Sequence, residues 1–302
     1  MTDALRLMAV HAHPDDESSK GAAMMAKYVR AGVQVQVVTC TGGERGDLLN
    51  PSFSLAGRDI REVRRDEMAR AAEILGVDHV WLGFEDSGFP DPEVEEPLPA
   101  GSFADLPLQV AAAPLVEQIR EFRPHVITTY DEIGGYPHPD HVRTHEISAY
   151  AFEAAADASV GHAEPWAALK LYYDITFHLE RLTRLHEAML GAGGESPYGE
   201  WIESWGDRPP KSDRVTTRVE CADFFELREA ALKAHATQVD PEGRWFAVPR
   251  QVHAQVWPTE DFELAAARIP VSLPEDDLFA GIAPGVTPGE TVWRAPRRSE
   301  ES

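Results

Sequence analysis

Apolar and polar positions along the first half of the chain switch repeatedly between two periods. Leu5–His11 (LRLMAVH) is an apolar run of strand length, and Ser18–Ala31, rich in Ala, Met and Lys, reads as a helix. Val33–Thr39 (VQVQVVT) alternates strictly and is Val-rich, which predicts a strand. Arg58–Leu75 has helical spacing and stops at Gly76. Val80–Phe84 is a third strand, Leu108–Phe122 a helix closed by Pro124, and His125–Tyr130 a fourth strand; a helix follows from about Pro139 to Ala156. The second half is less regular. Leu169–Phe177 and Val215–Val219 read as strands, Leu179–Leu190 and Phe224–Ala234 as helices, and the chain is turn-rich from Glu275.

Strands separated by helices of this length imply a parallel sheet with right-handed crossovers. The expected class is α/β, a doubly wound, mostly parallel sheet with an elaborated C-terminal region. We expect a core over residues 1–160, an α/β region over 161–290 that completes the substrate pocket, and a loose tail over 291–302. In such sheets ligands sit beyond the C-terminal ends of the strands. The polar loops 11–17 and 131–141 both fall there.

Composition narrows the partners. The 302 residues carry 28 Lys+Arg against 51 Asp+Glu, a net charge of −23, so nucleic acid and anionic membranes are expected to be repelled. No apolar run reaches the roughly 18–20 residues of a membrane span, and the N-terminus lacks a signal pattern, so a cytoplasmic location is expected. The two cysteines, Cys40 and Cys221, form neither a disulfide framework nor a Cys-rich zinc motif, and Cys40 reads as a buried thiol.

The chemistry concentrates in two clusters. Residues 11–17 read His-Ala-His-Pro-Asp-Asp-Glu directly after the first strand, and so many ionisable groups are hard to bury without partners. Imidazole and carboxylate suit zinc, whose catalytic sites take three protein ligands and leave a position for water. His13 and Asp16 could face one ion; alternatively Asp15 or Asp16 caps the next helix. Residues 136–141 read Tyr-Pro-His-Pro-Asp-His after the fourth strand. With Pro139 opening a helix, His138 and His141 lie one turn apart near Tyr136. Gly42–Gly46 does not fit a dinucleotide fingerprint and reads as a tight turn, and His235 is either a pocket residue or a core histidine.

These two motifs resemble the LmbE-like (PIG-L) family of zinc-dependent N-deacetylases. Segments 8–21, 39–46, 81–88, 232–241 and 257–262 extend the likeness to an amidase branch; residues 47–60 and the acidic insert 91–97 depart from it. The resemblance implies a Rossmann-like fold and one zinc per chain (iron being an alternative in the cell), held by His13, Asp16 and His141. It implies Asp15 as general base, His138 as oxyanion stabiliser and proton donor, Tyr136 polarising the scissile carbonyl, and Asp140 supporting His138. Arg64, Asp86 and Lys20 would contact substrate, although on residue type alone Arg64 and Lys20 read as solvated helix positions. The implied substrate is a small pseudo-disaccharide thiol conjugate. Its amide between an S-conjugated N-acetylcysteine and glucosaminyl-inositol would be hydrolysed, releasing a mercapturic acid. The rivals are deacetylation of N-acetylglucosaminyl-inositol and a non-catalytic sugar- or metal-binding role.

Overall fold

The computed structural model describes residues 4–90, 96–206, 208, 210–283 and 285–295. Residues 91–95 of the acidic insert and 296–302 of the expected tail lie outside the described residues.

The strands β1 (Arg6–His11), β2 (Gln34–Thr41), β3 (Asp78–Phe84), β4 (Val126–Thr129), β5 (Lys170–Asp174), β6 (Thr217–Glu220), β7 (Thr259–Ala267) and β8 (Trp293–Arg294) form one sheet. Their order is β3-β2-β1-β4-β5-β7-β6, with β8 beside β7. β1 to β5 run parallel, as expected from the alternating pattern. β7 runs antiparallel to β5, β6 and β8. The sheet thus continues from the first 160 residues into the C-terminal region, and Trp293–Arg294 of the expected loose tail pair with Ala266 and Ala267.

Nine helices complete the described fold: α1 (Asp16–Ser19), α2 (Ala22–Arg30), α3 (Ile60–Leu75), α4 (Leu108–Phe122), α5 (Pro139–Ala154), α6 (Leu179–Gly191), α7 (Gly199–Glu203), α8 (Phe225–Ala234) and α9 (Arg250–Val256). Met24, Met25 and Tyr28 of α2 and Met68, Ala71 and Leu75 of α3 bury one face of the sheet. Leu115 and Ile119 of α4 with Ile147, Ala151 and Phe152 of α5 bury the other. Coverage on both faces explains why β2 is buried at every position but its first, the polar Gln36 included. Among the described residues no helix is long and apolar enough to cross a membrane.

Three local expectations change. The helix expected over 18–31 is broken at Lys20 and Gly21, where Gly21 takes φ 79°. β7 (TEDFELAAA) was absent from the pattern, because acidic residues and alanines are poor strand formers and tertiary pairing on two sides supplies the order. α9 was also missed. In the resulting order β1 and β4 are neighbours whose connections leave in opposite directions, the switch point where α/β sheets open a crevice.

Candidate active site

Both clusters open on that crevice. His11 ends β1 and points into the core, edge-on to Tyr130 at 5.8 Å; burial pushes its pKa down to about 4. The chain then turns over, bringing His13, Asp15 and Asp16 to the surface of the crevice, while Pro139 sets α5 and turns His141 back toward them. Gly134, at φ 74°, closes the intervening loop. A Cβ there would lie 2.6 Å from that of His141, so the tight approach requires glycine.

Three atoms converge. His141 Nε2 lies 3.3 Å from His13 Nδ1 and 3.3 Å from Asp16 Oδ2, and His13 Nδ1 lies 3.6 Å from Asp16 Oδ2. The opposite ring nitrogens decide the tautomers. His141 Nδ1–H donates to the Gly134 carbonyl at 2.9 Å and His13 Nε2–H to Asp140 Oδ2 at 3.2 Å, which leaves both converging nitrogens as bare lone pairs. Two lone pairs and a carboxylate oxygen repel one another unless a cation lies between them. Donor atoms around a tetrahedral ion with bonds of about 2.0–2.2 Å stand about 3.3–3.6 Å apart, so the cluster fits a metal. A second set, His13, Asp86 and His138, also gathers within reach of one ion. It would need a lone pair on His13 Nε2, the nitrogen whose proton Asp140 holds.

The surroundings favour positive charge. Burial lowers the His13 pKa, but the hydrogen bond to Asp140 and the nearby Asp16 and Asp86 outweigh it and raise the group overall. Asp16 is buried, which opposes ionisation, yet His141 and Lys20 hold it well below the usual carboxylate range. Lys20 Nζ donates to Asp16 Oδ1 at 2.7 Å, so this lysine is buried rather than solvated.

Arg64 is likewise buried and off the solvated face. Its guanidinium donates to Gly43 O at 2.5 Å and Pro14 O at 2.6 Å, and meets Asp15 Oδ2 at 3.3 Å. Gly43, at φ 63°, is obligatory because a Cβ would overlap that guanidinium. Burial raises the Asp15 carboxyl against the pull of Arg64. Asp86 accepts the backbone N–H groups of Arg45 at 2.9 Å and Gly88 at 2.7 Å, tying together the loops after β2 and β3.

His138 and Asp140 depart from the implied pairing. The Asp140 carboxylate faces His13 and the Ser87 N–H (3.0 Å), not His138; only its backbone N–H reaches His138, donating to Nδ1 at 3.1 Å. That bond places the proton of a neutral His138 on Nε2. Burial, with His13 and His141 alongside, lowers its pKa to about 3. Tyr136 stays 47% exposed at the mouth, its ring 4.6 Å from that of His141. Burial raises its phenol pKa.

Other residues here escaped the sequence pattern. Tyr130 stacks on His141 at 4.4 Å and accepts the Ala12 N–H at 2.9 Å. Phe89, 57% exposed, stacks on His138 at 5.3 Å. Glu17 turns inward to His235, so the histidine left open as pocket or core is fully buried. Position beside a strand end was the only available signal for Tyr130 and Phe89.

Comparison with known proteins agrees with this geometry. Residues 8–152 match the PIG-L family model, described as GlcNAc-PI de-N-acetylase. The chain is 57% identical to a mycothiol S-conjugate amidase of Streptomyces coelicolor, over 93% of this chain and 99% of the relative. It is 37% identical to a 1D-myo-inositol 2-acetamido-2-deoxy-alpha-D-glucopyranoside deacetylase of Streptomyces griseus, over 97% and 94%. The N,N'-diacetylchitobiose deacetylase of Pyrococcus horikoshii shares the fold, with a TM-score of 0.58 at 19% identity over 87% of this chain and 84% of that one.

Proposed function

The chain belongs to the PIG-L family, and on that premise we propose that it is a zinc-dependent amidase acting on mycothiol S-conjugates. The bond cleaved is the amide between S-substituted N-acetylcysteine and glucosaminyl-inositol, yielding a mercapturic acid and the free amino sugar. The observation that carries the chemistry is the convergence of the His13, Asp16 and His141 lone pairs beside the carboxylate of Asp15. Likeness to the Streptomyces amidase over almost the whole of both chains supports the substrate.

His13, Asp16 and His141 would hold the zinc, which when bound polarises the amide carbonyl and lowers the pKa of water toward about 7. Asp15, about a quarter exposed and anchored by Arg64, takes the proton of the attacking water. Tyr136, neutral at any working pH, donates its hydroxyl to the carbonyl oxygen as that oxygen gains charge. His138 differs from its implied role. Its Nδ1 already accepts the Asp140 N–H and its pKa lies far below neutrality, so it serves as a neutral Nε2–H donor to the oxyanion. A neighbouring cation would push its pKa in the same direction. The leaving amine then takes its proton from Asp15, which carries the one removed from water. Lys20 keeps Asp16 ionised, and Arg64 and Asp86 are the residues that the family likeness assigns to the sugar.

The test is an amine-release assay on zinc-loaded protein with two substrates, a bimane conjugate of mycothiol and N-acetylglucosaminyl-inositol. Faster cleavage of the conjugate is expected. Much faster release of acetate from the second substrate would overturn the amidase reading in favour of the deacetylase.

A further inference from the structure

One buried ion pair lies against the site without a part in the chemistry above. Glu17 and His235 are both fully buried, and His235 Nε2–H meets Glu17 Oε1 at 2.8 Å across 218 residues of chain. Removing two charges from water is costly, and apolar replacements of similar volume are often equally stable. Stability alone therefore does not account for the pair.

What the pair touches is the backbone of Asp15. This residue holds the N-cap position of α1 at φ 106° and ψ −27°, a left-handed conformation that costs a residue with a Cβ about 1–3 kcal/mol. An aspartate at an N-cap ordinarily folds its carboxylate onto the free N–H groups of its own helix. Asp15 makes no such bond. Instead Glu17 Oε2 accepts the Asp15 backbone N–H at 2.9 Å, while Glu17 Oε1 receives His235 and the Ser18 hydroxyl. The result is one half of a capping box, made from the second helical residue rather than the third. A glutamate on the helix holds the cap residue's N–H, and the cap's carboxylate is free to meet Arg64.

The loop that follows His235 is tied to the core. Thr237 donates its N–H and hydroxyl to Glu67 at 2.8 and 2.7 Å, and Glu67 lies on α3, the helix that also carries Arg64. Asp15 is thus met by the Arg64 guanidinium at its carboxylate and by the Glu17 carboxylate at its N–H.

We infer that Glu17 and His235 are positioning residues that hold the Asp15 backbone in its left-handed conformation and so aim its carboxylate into the metal cluster. The inference rests on the reading of Asp15 as the base. The test is a double-mutant cycle on the zinc-loaded full chain with the bimane conjugate, using His235→Leu, Asp15→Ala and both together. H235L is expected to lower kcat on the order of 10–100-fold, as a small misplacement of a reacting group does, with zinc content and KM unchanged. H235Q, whose amide still donates to Glu17, is expected to recover most of that loss. In the D15A background H235L should cost nothing further. An equal loss in both backgrounds, or a loss confined to KM, would overturn the inference. If H235L does not fold, Glu17→Ala, which removes the acceptor of the Asp15 N–H, carries the same expectations in the same cycle. Wild-type turnover by D15A alone would instead remove the base itself, a failure distinguishable from that of the positioning pair.

Discussion

Asp140→Asn tests how the cluster is set to receive a metal. Asp140 Oδ2 accepts two hydrogen bonds, from His13 Nε2–H at 3.2 Å and from the Ser87 N–H at 3.0 Å. The atom at that position must remain an acceptor, so an asparagine would place its oxygen there and its amino group where Oδ1 lies buried without a hydrogen-bond partner among the described residues. Geometry is retained and the charge is lost. A hydrogen bond to a charged group contributes about 1.5–3 kcal/mol against about 1 for a neutral one, so the substitution should weaken the hold on His13 by about 0.5–2 kcal/mol. That corresponds to about 2–30-fold in zinc affinity, overlapping the lower part of the roughly 10–100-fold range usual for partners of metal-binding histidines. Competition titration against a chelator reads the affinity, and kcat at saturating zinc should fall only a few-fold. Unchanged affinity with a collapse of kcat would refute the reasoning and return Asp140 to the support of His138.

Replacing Gly43 by alanine puts a Cβ at positive φ into the Arg64 guanidinium; we expect a stability loss of about 1 kcal/mol or more in thermal unfolding and a reduced kcat as Arg64 releases Asp15. Tyr136→Phe should lower kcat by about 100-fold, the weak end for loss of one oxyanion donor because the residue is half exposed, with KM little changed. Zinc at about 100 times its Kd should raise stability by about 2.7 kcal/mol in the stripped wild type but not in His141→Ala, measured as a shift in Tm. Glu17, despite burial, is held at about 2 by His235 and Ser18, below its ordinary 4.5. A depressed carboxyl contributes stability that is complete above the unfolded value and is lost as pH falls from about 4.5 to about 2, here on the order of 3 kcal/mol. Denaturant titrations across that window should show a shallower acid loss in E17Q.

Local pattern carried much of this protein. Period-two and period-3.6 spacing located β1 to β5 and α3 to α5 because these elements bury faces against one sheet, and helix-length crossovers accompany the parallel order of β1 to β5, whereas β6 and β7, also joined through helices, pair antiparallel. The same order sets both histidine clusters at strand C-termini; the residues alone put His13 and Asp16 toward one ion, the family resemblance added His141, and the three converge in the structure. Other features depend on partners far along the chain. β7 is ordered by strands on both sides despite its helix-forming alanines. Lys20 and Arg64 carry the marks of solvated residues and are buried only because Asp16, Gly43 and Asp15 converge on them in space. The Asp140 carboxylate faces His13 rather than the nearby His138, and Glu17 finds His235 across 218 residues. Periodicity reports which face of an element is apolar; which buried charge meets which is decided by desolvation, since each must find an opposite partner wherever the packed chain supplies one.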